Sequence, residues 1–229
     1  MTNTLKRSAV CALFPGQGSQ AVGMGKDLYQ NFSCVRDIFE EASDAISLNL
    51  KELCFDGPTS DLTLTENTQP ALLVVSVAAF RVAQRELDFR PAAVAGHSLG
   101  EYSALVAAGA LTLPTAARWV RARGKAMQEA VPAGQGTMAA IMGLEDTQVE
   151  ALCKKATTSA KNKRASLEPE TYTVEAIVEP ANYNSPGQTV IAGSTDGVAE
   201  AIALVKAGGD FAGGKAMPLT VSAPFHCAL

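Results

Sequence analysis

The chain has little charge of one sign, few histidines and no long apolar run, and each shortage removes a class of function. Its 19 Lys and Arg against 23 Asp and Glu leave a formal net charge of −4, which gives no electrostatic reason for nucleic acid binding. Only two histidines are present, and the five cysteines (Cys11, Cys34, Cys54, Cys153 and Cys227) are scattered without Cys-x-x-Cys spacing. No metal site is expected from such a set, and reduced thiols in a cytoplasmic compartment fit it best. The longest apolar run, around residues 71–80, is too short to span a bilayer, so no membrane association is expected. Lys6 and Arg7 precede a short apolar run that faintly imitates a signal peptide, but no small-x-small cleavage site follows, and residues 9–14 read as a first strand. No repeat or low-complexity segment occurs.

What remains is a chain of 229 residues, 47% hydrophobic, long enough for one large domain or a domain with an insert. Its most informative stretch is Gly96-His97-Ser98-Leu99-Gly100. An apolar run (92–95) precedes it and helix formers (101–108) follow, the strand–turn–helix setting in which a serine sits on a tight elbow. Glycines permit the strained turn and close strand–helix packing. Ser98 would then project at the positive end of a helix as a nucleophile, where the plainer reading is a helix cap.

Along the chain, Pro15-Gly16-Gln17-Gly18 stops the first strand and a helix is expected from about Ser19. Apolar positions Val35, Ile38, Phe39, Ala42 and Ile46 predict a helix over 31–50, and further helices are expected over 69–87 and 115–131. The pattern then changes. Strands over 137–142, 173–178, 189–192 and 216–221 alternate with helices over 146–157 and 195–207, with a turn at 182–188 and a polar loop at 161–169. The order β-α-β-β-α-β is that of a ferredoxin-like unit. We expect an inserted small subdomain at 135–217 and a larger α/β subdomain formed by 1–134 and 218–229.

A serine nucleophile needs a base. His97 adjoins Ser98, where neighbouring side chains diverge, so it suits support of the elbow. By elimination His226 is the candidate, in Ser222-Ala223-Pro224-Phe225-His226; a Ser–Lys pair stays open. An acyl oxyanion needs two aimed N–H donors. The N–H of Leu99 is one, and the Gly16-Gln17-Gly18 loop, otherwise a plain βα connection, offers the other.

Five stretches together resemble the malonyl-CoA:acyl carrier protein transacylases and the acyltransferase domains of fatty acid and polyketide synthases. They are Phe14 to Gln20, Gly96 to Glu101, Arg121 to Met127, Asn182 to Gln188 and Val221 to His226, in the family's order. The resemblance implies an α/β-hydrolase-like large subdomain with a parallel sheet, carrying the ferredoxin-like insert. It implies a Ser98 acyl-enzyme in ping-pong transfer of malonyl from CoA to the phosphopantetheine thiol of acyl carrier protein, with His226 as general base and acid. The N–H groups of Gln17 and Leu99 would form the oxyanion hole. Arg123, which alone reads as a solvated helix charge, would hold the malonyl carboxylate. Phe225 would narrow the acyl pocket. Asn182 and Asn184 would line the cleft or serve only as turn residues. Malonyl-CoA is a substrate, no cofactor is implied, and a monomer is expected.

The basic stretch Lys154, Lys155, Lys161, Lys163 and Arg164 offers a carrier-protein contact or a solvated face. Family members continue past the residue matching His226, and a C-terminal segment lacking here would orient that histidine. A truncated, inactive fragment is therefore one expectation. The other alternative is a serine esterase or thioesterase of α/β-hydrolase type, with Asp196 or Asp210 as the triad acid.

Overall fold

The computed structural model describes residues 10–132, 134–166, 172–219, 221 and 223–229. Of the sequence readings, residue 9 of the first strand, 167–169 of the polar loop, 220 of the last strand and Ser222 lie outside those residues. By packing, the chain divides into two compact units, Met1–Ala126 and Met127–Leu229.

In the first unit, β1 (Cys11–Phe14) and β2 (Ala93–Gly96) pair in parallel, with Cys11 opposite Ala93 and Phe14 opposite Gly96. Parallel neighbours need a crossover. Five helices supply it: α1 (Lys26–Asn31), α2 (Ser33–Ile46), α3 (Leu50–Phe55), α4 (Thr59–Thr63) and α5 (Thr65–Glu86). After β2 come α6 (Gly100–Ala107) and α7 (Leu113–Glu129). The core is helical. Val35, Phe39 and Ala42 of α2 lie one helical turn apart and pack with Leu73, Val74 and Val77 of α5. Tyr29, Phe39 and Phe55 close around one another with ring centroids 5.3–5.6 Å apart. The small sheet is buried on one side only: Phe14 packs edge-on against Phe80, whereas Leu13 is 76% exposed.

The second unit is built on four antiparallel strands in the order β4-β5-β3-β6. In chain order these are β3 (Gly136–Met142), α8 (Asp146–Arg164), β4 (Val178–Ser185), β5 (Gln188–Ser194), α9 (Thr195–Ala207) and β6 (Lys215–Pro218). One sheet face carries Ala139, Ile141 and Ile191 into a core with Leu152, Val198 and Val205 of the two helices. The other face, with Met138, Ala140, Val190 and Ala192, is covered by Leu219, Val221, Phe225 and Cys227.

Several expected elements shift. The helix expected from Ser19 begins only at Lys26, because Gly23 and Gly25 take positive φ in the turns before it. The helix expected over 31–50 is interrupted where Ser47 turns left-handed at φ 51°, so that α3 starts separately. Helix α5 starts four residues before the expected 69. Helix α8 continues through 161–164, expected as loop, because Lys161, Lys163 and Arg164 find acidic partners. Strand β4 begins at Val178 rather than 173 and runs through Asn182, Tyr183, Asn184 and Ser185, so the turn shrinks to Pro186-Gly187. Strand β6 ends at Pro218. Residues 218–229, assigned from sequence to the larger subdomain, fall in the second unit by packing. The Leu219 N–H donates to the Met138 carbonyl at 3.0 Å, and Pro224 fills the space above Gly136. Among the described residues no helix is long and apolar enough to cross a membrane, and no group of three His, Cys, Asp or Glu could hold a metal.

Candidate active site

The turn after β2 is forced into shape by its glycines. A Cβ on Gly96 would lie 1.9 Å from the Gly100 carbonyl carbon, and one on Gly100 would lie 2.2 Å from the Phe14 oxygen. No side chain fits either place, so strand, turn and helix approach one another at backbone distance. The His97 N–H donates to the Phe14 carbonyl at 3.1 Å, and the Gly100 N–H turns back to the His97 carbonyl at 2.8 Å. Between them Ser98 takes φ +51°, a left-handed conformation that a serine adopts only when its surroundings impose it. Its half-buried side chain stands at the start of α6, where helix N–H groups favour negative charge. Leu99 follows with its side chain buried.

The loop after β1 is pressed against this elbow. A Cβ on Gly16 would meet the His97 carbonyl oxygen at 2.7 Å and the His97 Nδ1 at 2.9 Å. The His97 ring thus lies over the loop, which fits support of the elbow. Ser19 Oγ donates to the Gly16 carbonyl at 2.8 Å, the Gly18 N–H to Gln20 Oε1 at 2.8 Å, and Gln17 Nε2 to Thr65 Oγ1 at 3.3 Å.

Arg123 is brought to Ser98. Its Nη2 donates to Ser98 Oγ at 3.0 Å and its Nη1 to Gln69 Oε1 at 2.8 Å, while the Tyr102 ring lies 5.8 Å away. It is therefore no solvated helix charge. Burial lowers its pKa, partly offset by Tyr102 and Glu101, but a guanidinium starts so high that it stays charged. The next residue allows this placement: a Cβ on Gly124 would strike Glu66 Cα at 2.6 Å and the Thr65 carbonyl at 2.7 Å, so α7 lies directly on the first turn of α5. Thr65, Thr68 and Gln69, all buried, form a polar patch at the head of a helix otherwise rich in Leu, Val and Ala. Sequence reasoning missed Thr65 and Gln69. The available signal was that cluster of polar side chains opening an apolar helix.

The other candidates lie in the second unit. His226 is exposed, at φ +61°, on the turn after buried Pro224; Phe225 packs on the sheet face that carries Met138 and Ala140. Asn182 is half-buried on β4 and Asn184 exposed. They are strand residues, which removes the reading of both as plain turn formers. Asp196, a candidate acid for the hydrolase alternative, receives Arg164 Nε at 2.7 Å and Nη2 at 2.6 Å, and this pair holds its carboxyl below the usual range. Asp210, the other, pairs with Lys155 at 3.3 Å. Lys161 and Lys163 pair with Glu175 and Glu200, so most of the basic stretch is an ion-paired face. Burial pushes the Cys54 and Cys153 thiols up to about 12, far from thiolate at neutral pH. The first unit therefore offers a serine on a strained elbow, flanked by a glycine-built loop and a guanidinium.

The acyl transferase domain family matches residues 12–216. The chain is 47% identical over 217 residues to the malonyl CoA-acyl carrier protein transacylase of Escherichia coli (strain K12), covering 95% of this chain and 64% of that protein. It is similar to the crystal structure of an acyl carrier protein S-malonyltransferase from Vibrio cholerae, with TM-score 0.82 and 47% identity over 95% of this chain and 65% of the other. It is also similar, at TM-score 0.82 and 45% identity over 95% of this chain and 64% of the other, to a malonyl-transacylase solved in complex with a type II PKS acyl-carrier protein. The chain thus spans slightly under two-thirds of the length of these relatives.

Proposed function

Since the chain belongs to the acyl transferase domain family, we propose that it transfers a malonyl group from CoA to the phosphopantetheine thiol of acyl carrier protein through an ester on Ser98. The observation that carries this reading is the guanidinium of Arg123, 3.0 Å from Ser98 Oγ and held there by buried Gln69. A cation on the nucleophile suits an acyl group that ends in a free carboxylate, which a planar guanidinium can hold through two hydrogen bonds.

In the first half-reaction Ser98 Oγ attacks the thioester carbonyl as His226 takes its proton. The tetrahedral oxyanion is held by the N–H groups of Gln17 and Leu99, and collapse expels CoA as a thiol, protonated by His226. The carrier thiol then attacks the ester and releases Ser98. Phe225 is assigned to selection against a branched acyl chain, and Asn182 and Asn184 to substrate binding. Residues 135–217 are the ferredoxin-like small subdomain of an α/β-hydrolase-like acyltransferase, and the order β4-β5-β3-β6 supports that description. A cytoplasmic setting, in keeping with five free cysteines, and a monomeric state complete the reading.

Intact-mass measurement after mixing with malonyl-CoA or acetyl-CoA tests it. A malonyl adduct that disappears in Ser98→Ala is expected. Arg123→Ala lowers malonyl loading by about tenfold to a hundredfold, the worth of one to two charge-assisted hydrogen bonds, while acetyl loading does not fall. Equal losses for both acyl groups overturn the carboxylate role.

A further inference from the structure

The bond from Arg123 to Ser98 sets two demands against each other. An attacking hydroxyl needs an oxygen lone pair directed at the substrate carbon, and a cation donating into that oxygen at 3.0 Å withdraws electron density from it. Yet the same guanidinium is the group in this unit best suited to take a carboxylate. Gln69 makes both roles compatible. It is fully buried, and its Oε1 accepts from Nη1 at 2.8 Å, which fixes one arm of the fork. Gly124 locks the backbone beside Arg123 against the first turn of α5, so the guanidinium is anchored at its base and at Nη1. Nη2 is the arm left to change partners.

We propose that Arg123 is a latch on Ser98 that a substrate carboxylate opens, and that Gln69 is the positioning residue on which the latch turns. The inference rests on the reading of Ser98 as nucleophile and Arg123 as carboxylate receptor. In the closed arrangement Nη2 donates to Ser98 Oγ. An acyl carboxylate is a stronger acceptor for an ionised donor than a neutral hydroxyl, and each of its two oxygens can take an N–H group. Seating the acyl group therefore draws the cation off the serine oxygen as the thioester arrives. An acyl group without a carboxylate leaves the latch closed. Selectivity then acts on the reactivity of the serine as well as on binding.

Labelling Ser98 of the 229-residue chain with a small uncharged fluorophosphonate, followed by intact mass, tests the latch without any carboxylate. The Oγ–P bond forms, fluoride leaves and the hydroxyl proton passes to solvent. Arg123→Ala is expected to label about tenfold faster than the parent chain, the effect of removing one hydrogen bond to a charged group; Arg123→Gln serves should the alanine variant unfold. Gln69→Glu places a carboxylate where Oε1 stands and captures the guanidinium as an internal ion pair. It is expected to raise fluorophosphonate labelling and lower malonyl-CoA loading together, a divergence that structural damage does not produce. Labelling that is unchanged or slower in both Arg123 variants overturns the latch, and parallel falls in Gln69→Glu overturn the role of Gln69. Failure of the underlying reading looks different: the parent chain then loads malonyl and acetyl groups alike, whatever the fluorophosphonate shows.

Discussion

The two sheets of this protein are put to opposite uses. The parallel pair β1–β2 is minimal, with Leu13 on one side 76% exposed, and the backbone crowding at Gly96 and Gly100 is concentrated at its end. The antiparallel sheet of the second unit is buried on both faces, and six of the seven residues of β5 are buried. In the first unit the sheet aims a serine and helices α2 and α5 hold the core. In the second the sheet is the core. The candidate nucleophile thus sits where the sheet contributes least to packing, and its placing depends on backbone fit rather than on apolar area.

Four substitutions test that contrast, taken in falling order of effect. Ile191→Ala removes a fully buried side chain from β5 and should cost about 2–5 kcal/mol in urea unfolding. The loss is expected as faster hydrogen exchange in β3–β5, with Ser98 labelling per folded molecule unchanged; equal acceleration in both units would break the division. Gly100→Ala, adding one methyl 2.2 Å from the Phe14 oxygen, should cost about 3 kcal/mol and abolish Ser98 labelling. Should labelling persist, backbone fit is not what holds the elbow.

Asp196→Asn separates charge from packing in the second unit. Arg164 depresses the Asp196 carboxyl, so the pair stabilises above the unfolded Asp value of about 3.9, and its contribution disappears as pH falls through the lower folded value. With both side chains partly exposed, a loss of about 1 kcal/mol at pH 7 is expected, vanishing in acid. A pH-independent loss would mean that packing was responsible. Leu13→Ser, on the exposed face of the small sheet, should change stability by no more than about 0.5 kcal/mol. A larger loss would show that this face is covered in solution.

Much of this was legible in the chain. Helix α9 falls on its expected residues 195–207, because Ser194 Oγ accepts from the Gly197 N–H at one end and Gly208 breaks the helix at the other. Strand β4 was misplaced for a physical reason. Asn182, Asn184 and Ser185 carry strong turn preferences, and pairing with β5 overrides them at the cost of irregular register between Pro180 and Asn182 and between Tyr183 and Ser185, leaving only Pro186-Gly187 to turn. At the site, Ser98 was visible because its glycine spacing is local. The place of Arg123 depends on two helices meeting at Gly124, 25 residues along the chain from the elbow's own Leu99, and no local pattern announces that contact. Gln69 was hidden for the same reason. A glutamine in a helix looks ordinary until its burial and its partner are known.

The left-handed backbone at Ser98 carries a consequence for engineering. Glycine is the residue that tolerates such a φ without penalty, and holding a serine there costs about 1–3 kcal/mol. A search for thermally hardier variants would therefore favour replacing Ser98 with glycine, erasing the hydroxyl on which the proposed transfer depends. Selection for robustness and selection for the proposed acyl transfer pull apart at that one position.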